Sequence, residues 1–389
     1  MVMSPSLRKR LQSRYVPAAL IILGFVIIGL IVLQLTRAAS PAVSAEVENG
    51  VLTGQAIASS DSLASNGKAV RFSGETPGTV PPGFTPPANP KLSREGRNVL
   101  YFLQSLPGKN ILAGQHETDR CTKCESDRML TITGKMPAMH GHDVADYVID
   151  PIQESINDWN VRKQIVTFSW HFGAPPLNDL SFTNSQATAD VNKVLQPGTA
   201  ENTVYMAKLE KMAGRLQVLE NAQVPVVWRP LHEMNGGWFW WSKSGPEPYK
   251  RLWIHMYDYL TYTKGLDNLI WAWSAALNKS PDAAWYPGHQ YVDITGSDTY
   301  DNFSNMATWS AHYQKHKQIA PTKPVALTET DLIPDPQQLI DTKTHMIWFL
   351  PWYGQYVDKN TADFKRRVYN HPYVITADEM PDLKQTFPQ

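Results

Sequence analysis

Residues Thr203–Arg229 read TVYMAKLEKMAGRLQVLENAQVPVVWR, and a change of period within them decides the fold class. As far as Asn221, the apolar residues Met206, Leu209, Met212, Leu216 and Leu219 recur at helical spacing. From Val224 the run VPVVWR is short and almost continuously apolar, the pattern of a strand buried on both faces. A helix followed by such a strand is the unit of a parallel α/β sheet. The unit recurs on both sides. Upstream lie Asn110–Gly114 (NILAG), Met136–His140 (MPAMH) and Gln164–Trp170 (QIVTFSW). Downstream lie Leu269–Trp273 (LIWAW), Tyr291–Ser297 (YVDITGS), Pro324–Thr328 (PVALT) and Met346–Trp352 (MIWFLPW). With VPVVWR that makes eight strands in roughly 290 residues, which suits a (β/α)8 TIM barrel over residues 92–389. A doubly wound sheet is the alternative, but no GxGxxG or Walker motif follows any of these runs.

The remaining 91 residues have a different texture. Arg8, Lys9, Arg10 and Arg14 precede the uncharged run Pro17–Thr36, PAALIILGFVIIGLIVLQLT. Twenty residues at about 1.5 Å each match the bilayer core, so residues 1–40 are expected to be a transmembrane anchor or a signal peptide. Possible cleavage points are Ala38-Ala39-Ser40 and Val43-Ser44-Ala45. Basic residues on the leading side predict an extracytoplasmic location for the rest. Residues 41–73 contain two β-prone pieces punctuated by Asn-Gly, Glu46–Gly54 and Ala64–Phe72. They resemble the opening strands of a carbohydrate-binding module and are too few for a whole sandwich. Residues 74–91 are Pro-rich, with six prolines between Gly74 and Pro90, and read as a linker or surface strap.

Composition narrows the function. Thirty-six basic residues balance 36 acidic ones, so there is no surplus charge for nucleic acid. The 13 Trp all lie at or after Trp159, which puts the aromatic excess in the barrel. Active-site residues of such barrels sit at the C-terminal ends of the strands. Those ends carry His116-Glu117, His140-Gly141-His142-Asp143, Trp170-His171, His232-Glu233, Trp273, Asp298-Thr299-Tyr300, Glu329 and Trp352. Aromatic rings stack on the apolar faces of sugars, while carboxylates and imidazoles bind their hydroxyls. Glycosidic cleavage needs two carboxyl groups flanking the bond, and Glu233 and Glu329 supply them from separate strands. Trp240 and Trp241 fit packing as well as ligand stacking, and Asp298 fits a partner of the catalytic groups better than a catalyst. The HxH spacing of His140 and His142, with His171 nearby, is the feature a metal-dependent hydrolase would use. Cys121 and Cys124 suit a local disulfide in the loop after the first strand, or two free thiols.

The run Val227–Trp241, VWRPLHEMNGGWFWW, resembles the signature of glycoside hydrolase family 26, the β-mannanase family. GQHE, SWH, GSDTY, ALTET and VITADEMPDL follow the family's order across most of residues 92–389. The resemblance implies an endo-acting retaining barrel enzyme cutting β-linked polysaccharide, mannan or glucomannan first, without a cofactor or metal. It implies Glu233 as acid/base, Glu329 as nucleophile, and Tyr300 hydrogen-bonded to the nucleophile. It places His171, His232, Trp238 and Trp352 near the cleaved bond, with His116 and Glu117 as further binding residues or loop supports. Alternatives are a β-1,3-1,4-glucanase on the same fold, a non-catalytic cell-surface polysaccharide-binding protein, and a metal-dependent barrel hydrolase. A monomer is the default for an enzyme working on long chains.

Overall fold

The computed structural model describes residues 56–60, 68–72, 80–145, 149–177, 182–276 and 279–385. They belong to two compact units, Met1–Phe72 and Ser73–Gln389. In the first unit, β1 (Ala56–Ser60) pairs antiparallel with β2 (Lys68–Phe72), with Ala56 opposite Phe72. The second strand falls within Ala64–Phe72 as expected. Its partner is Ala56–Ser60, while Glu46–Gly54 lies outside the described residues, as does Pro17–Thr36. Among the described residues, no helix is long and apolar enough to cross a membrane.

The second unit is a closed eight-stranded parallel barrel. Its strands are β3 (Ile111–His116), β4 (Met139–Asp143), β5 (Ile165–Ser169), β6 (Val226–Arg229), β7 (Leu269–Ala275), β8 (Ile294–Thr299), β9 (Val325–Thr330) and β10 (Met346–Pro351). Each pairs with its neighbour in sequence, and β10 returns to β3 through Trp348 opposite Leu112 and Phe349 opposite Ala113. A two-residue strand, β11 (Val374–Ile375), adds to the base of β3. All eight expected strands are present. The second begins three residues later than its apolar run suggested, so that His140, His142 and Asp143 lie within β4.

The helices between strands have local reasons to start where they do. Thr199 caps Ala200–Asn221 by accepting from the Asn202 N–H at 3.0 Å, and Tyr205, Leu209, Met212, Leu216 and Leu219 form its buried face. Pro246 opens Pro246–Asp258, where its missing N–H costs nothing. Most of the tryptophan excess is core. Trp170, Trp228, Trp240, Trp241, Trp253, Trp271, Trp273 and Trp348 are all buried, and this removes Trp273 from the ligand-facing set.

The Pro-rich stretch is no free linker over residues 80–91. The Ala88 N–H donates to Asp293 at 2.6 Å, Tyr257 donates to the Ala88 carbonyl at 2.7 Å, and Asn89 donates to Asp267 at 2.9 Å. Asp267 and Asp293 lie just before β7 and β8, so this strap is held at the N-terminal ends of those strands, opposite the site.

Candidate active site

Beyond β6 the chain turns sharply. Leu231 and Glu233 both adopt left-handed backbone, with φ of 49° and 54°, an unfavourable conformation for residues with a side chain. The Glu233 N–H is secured to the Ser274 carbonyl at 3.0 Å, and the carboxyl is aimed into the barrel mouth. Gly236 and Gly237 let the next turn fold back. A Cβ on Gly236 would come within 2.5 Å of the Trp238 ring, and Gly237 sits at φ 88°. Trp238 consequently reaches Glu233, its indole N–H donating to Oε2 at 2.7 Å.

Glu329 arrives from β9 and is held from both sides. Tyr300, just past β8, donates to its Oε2 at 2.7 Å, and the Arg229 guanidinium donates to its Oε1. Arg229 also donates to Asp298 at 3.0 Å, and the Thr328 hydroxyl donates to the other oxygen of Asp298 at 2.6 Å. One oxygen from each of Glu233, Asp298 and Glu329 lies within 4.8 Å of the other two. The cation serving this buried trio is Arg229, whose charged form the two carboxylates reinforce against the opposing effect of burial. Arg229 went unassigned in the sequence. The available signal was a lone arginine ending an apolar strand, where burial demands a carboxylate partner.

The electrostatics separate the two glutamates. Burial, followed by repulsion from Asp298 and Glu329, pushes the Glu233 carboxyl well above the ordinary range, which favours its protonated form. The Trp238 N–H and Arg229 oppose that rise. Burial, resisted by Arg229 and helped by Glu329, lifts Asp298 to about 7. Trp238→Phe removes a donor that favours ionised Glu233, so Glu233 should rise further. Activity that needs protonated Glu233 is lost as pH rises through its pKa. The alkaline limb of kcat/KM should therefore shift to higher pH in Trp238→Phe, and a shift to lower pH would contradict this account.

Around this centre lies a cleft of about 1000 Å³. His171, His232, Trp238, Tyr300 and Trp352 all line it. His171 is oriented by Asp143, 2.7 Å from its Nδ1, and its Nε2 meets the Nε2 of His232 at 3.0 Å. Burial, then His171 and Arg229, holds His232 well below the usual imidazole range, so it is neutral. Trp240 and Trp241 are packing residues. Their indole N–H groups donate to the backbone carbonyls of Phe172 and His232 at 3.1 and 2.8 Å.

His116 and Glu117 have supporting positions. His116 is buried with its ring stacked under Trp352, the centroids 3.8 Å apart. The Glu117 carboxylate is turned inward, accepting from the N–H groups of Glu125 and Ser126, both at 2.8 Å, at the start of helix Cys124–Thr133. It is also 2.9 Å from His140 Nε2. Glu117 is among the residues lining the cleft, and His116 lies under one that does, Trp352. Cys121 and Cys124 form the local disulfide, and Thr122 between them faces the cleft.

The HxH motif serves charge compensation. His140 Nδ1 lies 2.8 Å from Asp158, and its Nε2 meets Glu117. Burial would lower its pKa, but Asp158 and Glu117 outweigh that and raise it to about 9. Both ring nitrogens of His140 thus face a carboxylate, Asp158 on one side and Glu117 on the other. His171 is committed to Asp143 and His232, away from that pair.

The sequence is similar to a mannan endo-1,4-β-mannosidase of Thermothelomyces thermophilus, with 33% identity over 313 residues, covering 75% of this chain and 62% of the relative. It is also 33% identical over 268 residues to the Bacillus subtilis mannan endo-1,4-β-mannosidase, covering 62% of this chain and 72% of that one. The chain therefore spans a little under two thirds of the first relative's length. Among solved structures, the Podospora anserina GH26-CBM35 β-(1,4)-mannanase superposes with a TM-score of 0.69 at 30% identity, over 81% of this chain and 73% of that one. A β-mannanase from a symbiotic protist of the termite Reticulitermes speratus, complexed with gluco-manno-oligosaccharide, gives 0.69 at 27% identity, over 77% and 99%. The sequence model of glycosyl hydrolase family 26 matches residues 88–379, which takes in every barrel strand, and the chain belongs to that family.

Proposed function

We propose that this chain is an endo-acting, retaining β-1,4-mannanase that works on mannan or glucomannan, with Glu233 as acid/base and Glu329 as nucleophile. The observation that carries the reading is the carboxyl pair: one buried and pushed toward its protonated form, the other gripped by Arg229 and Tyr300, with oxygens within 4.8 Å. Retention requires carboxyl groups about 5–5.5 Å apart, whereas inversion needs roughly 6.5–9.5 Å to admit a water. In the first step Glu329 attacks the anomeric carbon while Glu233 gives its proton to the glycosidic oxygen, and the leaving chain departs. In the second, the Glu233 carboxylate takes a proton from water. That water breaks the Glu329 ester and restores the original anomeric configuration. The names of the relatives support mannan as substrate.

The test is a panel of mannan, glucomannan, galactomannan, lichenan and xylan, scored by released oligosaccharides and by product anomer. Short manno-oligosaccharides with the β configuration are expected. Product from lichenan alone would overturn the substrate, an α product would overturn retention, and binding without product would make the barrel a lectin. Export, with Pro17–Thr36 as anchor or cleaved signal, and a monomeric state belong to the same proposal, on sequence grounds. An anchored chain fractionates with membranes and keeps its original N-terminus, whereas a cleaved one is soluble and begins near Ser40 or Glu46.

A further inference from the structure

Among the described aromatic residues lining the cleft, one is exposed while the others are buried or half-buried. Phe182 follows β5 and lines the cleft, yet 46% of its surface is exposed. Its ring has edge contacts with His171 at 5.2 Å and Phe239 at 5.9 Å, which fix its position without covering it. His171 also has an edge contact with the Trp352 ring, the centroids 6.4 Å apart. Ring contacts thus connect Trp352 to His171 and His171 to Phe182. Among the described residues, Phe182 has no ring contact with Trp238 or Tyr300, whose polar groups hold Glu233 and Glu329.

The polar partner is close in sequence. Gln186 also lines the cleft, and its backbone is tied down at both ends: its N–H donates to the Thr183 carbonyl at 3.1 Å, and its own carbonyl accepts from Lys243. The neighbouring segment is fixed by Lys208, whose buried ammonium donates to the carbonyls of Gly173 and Leu177 at 2.8 and 2.7 Å. An open phenyl ring and an amide on a fixed wall of a carbohydrate cleft form a small apolar platform with one directional polar group, a combination suited to a pyranose.

We propose that Phe182 and Gln186 form a distal sugar subsite, the ring lying against the C–H face of a β-linked hexose and the Gln186 amide binding its hydroxyls. The inference rests on the glycosidase reading and adds a chain-length dependence to it. Oligosaccharides long enough to reach Phe182 gain from it, and shorter ones do not. Covering a half-exposed phenyl ring is worth about a five- to tenfold gain in affinity.

The experiment measures binding of mannotriose and mannohexaose by calorimetry to full-length Glu329→Ala protein, with and without Phe182→Ala or Phe182→Trp. Turnover of mannan by the unsubstituted enzyme is read separately. The expected result is that Phe182→Ala lowers the hexaose-to-triose affinity ratio about five- to tenfold and that Phe182→Trp restores it. An unchanged ratio overturns the subsite, including the case where both ligands weaken equally because Phe182 merely props His171. Absence of mannan turnover by the unsubstituted enzyme counts against the mannanase reading, a different failure from a length-independent ratio.

Discussion

Glu329→Ala is expected to cut turnover by roughly four orders of magnitude or more on every substrate, whatever the leaving group. No other carboxylate can replace it. Asp298 is engaged by Arg229 and Thr328, and Glu233 is needed as the acid. Glu233→Ala should behave differently. On polysaccharide the loss should be comparable, because the departing sugar needs a proton. On an aryl glycoside with a good leaving group the first step should survive, so the glycosyl-enzyme accumulates. Added azide should then attack that intermediate and release a β-glycosyl azide. Steady-state and burst kinetics on both substrate types check this. Leaving-group dependence in Glu329→Ala, and its absence in Glu233→Ala, would exchange the two roles.

Arg229→Met should be the most damaging single change to stability, costing about 3–5 kcal/mol. The guanidinium is buried between Asp298 and Glu329, so its removal leaves two buried carboxylates with no cation between them. Arg229→Lys should recover much of the stability but little of the activity, because an ammonium cannot hold two carboxylates with a planar fork. Urea denaturation of the purified variants, alongside kcat on mannan, separates the two effects. A Met variant as resistant to urea as the parent would show that the pair contributes no net stability.

The barrel was legible because parallel strands covered on both faces read as apolar runs. LIWAW and MIWFLPW are strands at nearly the positions their composition suggests. MPAMH was misplaced at its edges because the strand carries His140, His142 and Asp143, which point to interior partners and interrupt the apolar signal. The two glutamates were legible as carboxylates at strand ends. Arg229 was quoted in the same motif yet passed over, since periodicity does not say which way a polar strand residue faces. Glu117 could be located but not interpreted. Its partners, the first N–H groups of a helix and a histidine 23 positions away, meet only in three dimensions. Trp240 and Trp241 stayed open between packing and stacking, because they share one aromatic run with Trp238 and their buried N–H partners are backbone carbonyls that the sequence does not show. Phe182 carries no pattern at all, being a single aromatic residue beyond a strand.

The buried group around His140 bears on how such a sequence can drift. Glu117, His140 and Asp158 are fully enclosed, and Arg162 adds a second cation 3.1 Å from Asp158. Loss of any one member strands a charge away from water, whereas a compensated double change does not. These positions are therefore locked to one another in descent, to be exchanged as a set or kept. A lineage that abandons the set must rebuild the start of helix Cys124–Thr133, and with it the wall of the cleft that carries Thr122.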